Sequence, residues 1–415
     1  MNNIIQFIKN FNANKGGYVF LSFVIEKLIG LVNTIYLVRL IAKDDFGQIT
    51  LISSLFAVII TLSGFGSVQG LLRYGSMANS EKDKDNLSQY IFRNGFKKHL
   101  ILSLVFLLIA ITYELKFIGI WPIVLWFTLR FIGFYIYSFI VNYYRIHLDN
   151  KKYASITIFV NCVGSILTFV LTWQFNTIGY LFGLAITPWL SLIFIKAILL
   201  KNIPVKLDFI DLNEFWKYSF QSAINYGLAE VLLMLDVLLI GLFLSETDVA
   251  NYKIAIILPM NLVFLATVFI QTDFPKIVSH STDKKYLNQY IKSYHQIFIP
   301  LGIIILLIGY FIKDWIVTFV FGREYNEVGY LFFVILIAVV SNMCLRNLYS
   351  NLLSAVGLAK DNTKIAIISI FCMLGLSLLF IPTYGIFGAA CALSLTFILT
   401  GILSRILFSR YLNSI

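Results

Sequence analysis

The sequence predicts an all-α membrane protein of twelve transmembrane helices in two related six-helix bundles. Three observations predict it. Only 13% of the 415 residues are charged and 59% are hydrophobic, where soluble domains run near ~25% charged and ~45–50% apolar. A water-facing surface needs charges that this chain lacks. The apolar runs continue for about 20 residues, the length of a membrane-crossing helix, whereas barrel strands would alternate over about 10. Finally, segments of the first half recur in the second about 205 residues later.

Taken in order, MNNIIQFIKNFNANKGG has no apolar core or cleavage site of a signal peptide. Ile4, Phe7, Ile8 and Phe11 follow helical spacing opposite Asn3, Gln6 and Lys9. That pattern predicts an interfacial amphipathic segment over 1–17. Apolar runs between polar breaks then place spans near 18–38, 46–71, 98–113, 117–142, 153–173 and 177–196. The second set falls near 217–244, 250–272, 293–312, 328–353, 365–381 and 384–404. The two six-helix bundles are thus 18–205 and 206–415. The longest connection is about 25 residues, after the second span, so no soluble domain is expected.

Lysine and arginine orient the spans. The N-terminal segment and the loops on its side carry 23 of the 32, the opposite loops carry 6, and Lys27, Arg130 and Arg346 lie within spans. By the positive-inside rule both termini are cytoplasmic. The net charge of +11 is therefore largely a topology signal and calls for no nucleic acid. The four cysteines and four histidines show no metal-ligand spacing. The cysteines read as packing residues, and the histidines, near predicted helix ends, as solvated or headgroup-facing.

The repeat is carried by three pairs of segments. TIGYLFGLA (177–185) echoes TYGIFGAA (383–390), LIAKDDFGQI (40–49) echoes FLSETDVANY (243–252), and LDNKK echoes AKDNTK. Six spans per half at this spacing describe a parallel duplication, common among transporters, with a substrate site at midplane.

The same segments carry a family resemblance. IYLVRLIAKDDFGQITLI (35–52) resembles the first-to-second-span signature of polysaccharide flippases, with the aromatic-Gly pair Phe46-Gly47. GFGSVQGLLRYGS (64–76) is similar to the end of that family's second span. MLDVLLIGLFLSETDVANYKIA (234–255) resembles its seventh-to-eighth junction, with Asp236, Ala250 and Tyr252 at the typical places, and YGIFGAACALSLTF (384–397) its twelfth span. The order of motifs covers essentially the whole chain. It is that of bacterial O-antigen flippases (Wzx-type) of the multidrug/oligosaccharidyl-lipid/polysaccharide (MOP) exporter superfamily. One departure is Ala42-Lys43, where many relatives carry a proline before the acidic turn.

The resemblance implies a V-shaped pair of six-helix bundles around a central cavity in the bacterial inner membrane. It implies a substrate, an undecaprenyl-diphosphate-linked oligosaccharide, moved from the cytoplasmic to the periplasmic leaflet. It also implies membrane lipid and other O-antigen assembly proteins, a polymerase and a chain-length regulator, as partners. No cofactor is expected.

Ionisable residues within spans are the candidate site, because charge at bilayer depth is costly and usually functional. In the first span Ser22, Gly30 and Asn33 fall within about 40° of Glu26, with Lys27 at the edge of that stripe. Adjacent residues on a helix do not face each other, so Glu26 and Lys27 each need water, another helix or a ligand. Arg130 shares a helix face with Trp126, Tyr137 and Tyr144. A guanidinium binds phosphate bidentately and stacks on rings, which suits a phosphate-bearing glycan headgroup. An aromatic belt with a snorkelling arginine is the alternative.

Arg346, on the span equivalent to that of Arg130, lies about one turn from the matching place, with Asn342, Tyr349 and Ser350 within about 60°. Two arginines facing one cavity from equivalent helices are what a diphosphate site needs. Lys27, Arg130, Arg346, Trp126 and Tyr137 are thus the expected substrate-binding residues. Snorkelling is the alternative for Arg346 as well. Glu26, Glu230 and Asp236 are the expected ion-coupling residues, with a structural pairing of Asp236 to Lys27 or an arginine as the alternative.

No GxxxxGK[ST] loop is present, which excludes ATP as the direct energy source. The alternatives to a flippase are a cation or multidrug exporter of the same superfamily and an O-antigen polymerase-type membrane enzyme. The three basic residues within spans favour an anionic headgroup over a cationic drug. No outside loop exceeds about 17 residues, where a polymerase would carry a large one.

Overall fold

The computed structural model describes residues 29–78, 80–200, 207 and 210–415, and no strand occurs among them. The interfacial segment 1–17 lies outside the described residues, as do Glu26 and Lys27.

Ile29–Leu40 (α1) is followed by Lys43–Ile60 (α2), which carries Asp44 and Asp45 in its first turn. Carboxylates there oppose the positive end of the helix dipole. A break over Thr61–Gly66 separates α2 from Ser67–Met77 (α3). The span expected at 46–71 is therefore interrupted. Gly64, Phe65 and Gly66 all adopt positive φ (55°, 51° and 75°), a conformation that costs a non-glycine residue roughly 1–2 kcal/mol. Glycine is required at Gly66 for a second reason: a Cβ there would strike the backbone carbonyl of Ser219.

Glu81–Ile111 (α4) shows that most of the expected connection after the second span is helical. Ser80 caps the helix by accepting from the Asp83 N–H at 3.1 Å, and Lys84 pairs with Glu81 at 2.7 Å. Caps and i,i+3 pairs stabilise a charged helical turn in water as readily as an apolar one in lipid. Trp121–Ile146 (α5) follows, with proline in its first turn.

Asn150–Ile186 (α6) reverses at Asn176 (φ 50°, ψ −131°). Gly179 meets the Leu171 carbonyl, Gly183 meets Thr168 and Gly164 meets Thr187, the contacts of two antiparallel arms. Leu212–Phe243 (α7), Glu246–Ser279 (α8) and Lys284–Phe321 (α9) come next. Gly329–Ser341 (α10) runs through a π turn, Asn342–Arg346, into Asn347–Ala355 (α11). Ala359–Ser414 (α12) reverses at Gly385 (φ 58°, ψ −138°), where Gly388 meets the Phe380 carbonyl.

The two reversals are alike. Each has a glycine three residues after the turn, packed on the carbonyl five residues before it. This is the duplication of TIGYLFGLA and TYGIFGAA expressed as geometry.

Among the described residues, nine helices are long and apolar enough to cross a membrane. The chain forms two compact units, one up to Glu230 and one from Val231, with the division inside α7. The first has a core that includes Phe106, Phe127, Phe131, Tyr135 and Phe139, and the second one that includes Tyr294, Phe298, Tyr349 and Phe408.

Candidate functional site

In the second unit the π turn holds Arg346. The helix around it supplies Asn342, Asn347 and Ser350 to a cavity of about 240 Å³, and the first turn of α12 adds Asn362. Among the described residues no carboxylate lines this cavity. The Arg346 Nε is buried and has no hydrogen-bond partner among the described residues, and its guanidinium lies 5.4 Å from the centroid of the Phe397 ring. Asn347 donates to Thr267 Oγ1 (3.1 Å) and accepts from Asn351 Nδ2 (2.8 Å), which fixes the cavity wall.

Asn342 and Ser350 thus stand with Arg346 as the helical spacing predicts. Tyr349 does not. It is buried, with its ring beside His295 and Phe408.

Arg130 lies in the first unit with its polar head engaged. Its Nη1 donates to the Leu184 carbonyl at 2.9 Å, and the Phe56 ring centroid is 5.4 Å from Cζ. None of the aromatics expected on its face supplies that ring. Trp126 meets Phe182 edge-on (5.4 Å), Tyr137 meets Phe134 (5.9 Å), and Tyr144 is buried and donates to the Phe194 carbonyl (3.0 Å). Helical angles tell which way a residue points and not what another helix places there.

Asp236 is buried at 1% exposure. Its Oδ2 accepts from the Tyr252 hydroxyl at 2.7 Å and its Oδ1 from the Val237 N–H at 2.8 Å. Two residues of one junction motif, α7 and α8, are therefore bonded to each other, and the partner of the carboxylate is a hydroxyl. Ser245 and Asp248 cap the start of α8 just beside them, through Ser245 Oγ to Asp248 Oδ2 at 2.6 Å. Glu230 is half-buried at the division between the units.

Two features escaped the reading of the sequence. The π turn adds a residue without any compositional mark. His99, expected near solvent, is fully buried, because α4 begins at Glu81 and places it deep in the helix. It donates from Nε2 to the Phe131 carbonyl (2.8 Å) and accepts at Nδ1 from the Ser63 hydroxyl (3.1 Å), which ties the break before α3 to α4 and α5.

The fold is that of MOP-superfamily transporters. Across 94% of its length the chain matches 87% of the lipid II flippase MurJ in an inward closed conformation, with TM-score 0.72 and 15% identity. It matches 95% of a multidrug resistance MATE family transporter of the MOP superfamily, inward-facing, over 94% of its own length (TM-score 0.67, 15% identity). A mutant of the Vibrio cholerae MATE transporter VcmN matches over 97% of this chain and 99% of its own (TM-score 0.61, 13% identity). At these identities the likeness establishes the fold. No curated protein matches the sequence. Residues 13–277, more than half of the chain, match the family described as polysaccharide biosynthesis protein, and the protein belongs to that family. The resemblance read from its motifs is borne out.

Proposed function

We propose that this protein is a flippase that carries undecaprenyl-diphosphate-linked oligosaccharide, an O-antigen repeat unit, from the cytoplasmic to the periplasmic leaflet of the bacterial inner membrane. The observation that carries the reading is the pair of arginines within spans, Arg130 and Arg346, neither of which has a carboxylate partner among the described residues. Positive charge left without a carboxylate at bilayer depth favours an anionic cargo and opposes a cationic drug. Membership of a polysaccharide biosynthesis family supports the same class of cargo. The fold supports alternating access.

In this reading the chain crosses the membrane twelve times. Both arms of α6 and of α12 count as spans, the segment that contains α1 is the first, and both termini are cytoplasmic. Lys27, Arg130 and Arg346, with Trp126 and Tyr137, handle the diphosphate and its first sugars. Glu26, Glu230 and Asp236 couple transport to an ion gradient.

Deletion of the gene tests this directly. Lipid-linked repeat units should accumulate on the cytoplasmic leaflet and surface glycan should be lost. Normal surface glycan in the deletion strain would end the proposal. Full glycan export by a variant with Lys27, Arg130 and Arg346 all replaced by glutamine would shift the reading to a drug exporter.

A further inference from the structure

The loop between α4 and α5 and the loop between α9 and α10 hold equivalent places in the two halves of the duplication. They share one frame. Phe117 and Ile120 are buried in the first loop and Tyr325 and Val328 in the second, three residues apart in each. The exposed positions around these pairs differ in kind. The second loop presents Arg323, Glu324, Asn326 and Glu327. At the same places relative to the buried pair, the first presents Leu115, Lys116, Ile118 and Gly119. Leu115 is 92% exposed and Ile118 is 90% exposed. In water each would forgo the roughly 1.5–3 kcal/mol that burial of such a side chain returns.

The apolar surface of the first loop begins on α4. Ile101, Leu104, Leu108 and Ile111 are exposed at alternating steps of three and four, which is one helix face, and Leu115 is the next step. Ile118, and then Trp121 and Leu125 of α5, carry the exposed stripe around the turn. A continuous apolar face on a membrane-crossing helix meets acyl chains. On α9 the corresponding surface closes on the helix itself. Trp315 and Phe319 stack at 5.1 Å in its last two turns, and the polar loop follows.

Length places the first loop at the same depth as its stripe. Lys98 is the last charged residue of α4. Residues 99–111 rise only about 20 Å, against a hydrocarbon core about 30 Å thick. The apolar face therefore needs the loop to reach the interface.

Irregular backbone beside lipid is tolerated where its polar groups are satisfied within the protein. The N–H groups of Lys116 and Phe117 donate to the Tyr113 carbonyl (3.0 and 2.8 Å), and that of Ile120 to the Phe117 carbonyl (3.3 Å). Glu114 takes two more, Oε1 from the Gly119 N–H at 2.7 Å and Oε2 from the Trp121 N–H at 3.0 Å. Its carboxylate thus also faces the positive end of α5. The tip is fixed with Phe117 and Ile120 inward and Leu115 and Ile118 outward. Lys116 and Trp121 flank it, and both residue types suit a bilayer interface.

We propose that the α4–α5 loop is a lipid-docking surface. Leu115, Ile118 and Trp121 enter the bilayer interface, and the Glu114 carboxylate holds the tip outward. The equivalent loop of the second half stays in water. This surface does not depend on which molecule is transported.

The test uses full-length protein in nanodiscs of phosphatidylcholine brominated on its acyl chains. Ile118→Trp and Asn326→Trp are each compared with the wild type, and the fluorescence of the added indole is read. Brominated lipid should quench the indole of Ile118→Trp at least about twofold more strongly than that of Asn326→Trp, as befits an interfacial site against an aqueous one. Acrylamide should quench them in the reverse order. Adding Glu114→Ala to Ile118→Trp frees two N–H groups and should reduce the lipid quenching about twofold.

Equal access of acrylamide to the two indoles overturns the proposal. So does an indole of Ile118→Trp shielded from both quenchers, which assigns the tip to a protein contact. Unchanged quenching on adding Glu114→Ala overturns the role of that carboxylate. If Ile118→Trp yields no folded protein, Trp121→Phe takes its place. The emission that it removes should be of the lipid-quenched kind, and removal of an acrylamide-quenched component overturns the docking surface. The deletion phenotype is read in cells and the quenching on purified protein, so either can fail alone.

Discussion

Arg130 and Arg346 sit on equivalent helices of a duplicated chain, and each has a phenylalanine ring 5.4 Å from its guanidinium carbon. Their hydrogen bonds differ. Arg130 spends one on the carbonyl of Leu184, in the returning arm of α6, and so fastens α5 to that arm. Arg346 keeps a buried nitrogen unpaired beside a polar cavity. The like positions therefore differ in what is left over: Arg130 has one donor committed to a neighbouring helical arm, while Arg346 has a buried donor uncommitted among the described residues.

The frame itself is the sharpest place to break this comparison. Gly179→Leu and Gly388→Leu should each cost about 3 kcal/mol, because both side chains would be driven into a backbone carbonyl. Loss of monodisperse protein on size exclusion, with a matching fall in Tm, measures it. A large effect in one half alone would mean that the two reversals are not structural equivalents.

The arginines come next. Arg130→Gln should lower stability by about 2 kcal/mol, the worth of a hydrogen bond from a charged donor, while Arg346→Gln should leave stability unchanged or raise it by removing an uncompensated charge. Thermal unfolding gives the first quantity, and complementation of the deletion strain should show the larger export defect in Arg346→Gln. The opposite ranking would reverse the assignment of roles.

A smaller contrast separates two acidic corners. Tyr252→Phe strips a fully buried carboxylate of its hydroxyl donor and should cost about 2 kcal/mol. Thr177→Val removes a comparable bond to Asp45 at 2.6 Å, but in a half-exposed place, and about 1 kcal/mol is expected. Chemical denaturation in mixed micelles resolves that difference. Least of all, Ser80→Ala and Asp283→Ala, both exposed caps, should each cost about 0.5 kcal/mol by uncapping α4 and α9. Unequal losses there would show that the two helix starts are not equally anchored.

Most helices were legible because hydropathy reports which residues leave water. For the same reason it missed the first turns of α4, where charged residues are helical but solvated. The GFG sequence was visible as a motif, yet three consecutive residues of positive φ interrupt a run that hydropathy reads as continuous. Among site residues, Asn342 and Ser350 were legible from spacing along the helix that bears Arg346. The partners of Arg130 were not, since Phe56 and Leu184 come from other helices. The engagement of Asp236 by Tyr252 was half visible, because both belong to one junction motif while their contact needed the α7–α8 corner. Tertiary contacts of this kind leave no periodic trace along the chain.

The π turn at Asn342–Arg346 has a consequence for how such a protein can change. Removing one residue from that turn would restore a regular helix and rotate the residues on one side of it by about 100° relative to the other. Arg346 would then be re-aimed with respect to Asn362 while hydropathy, caps and both hairpins stayed as they are. A single in-frame codon, gained or lost, would be enough to reset the lining of a polar cavity inside an unchanged membrane fold.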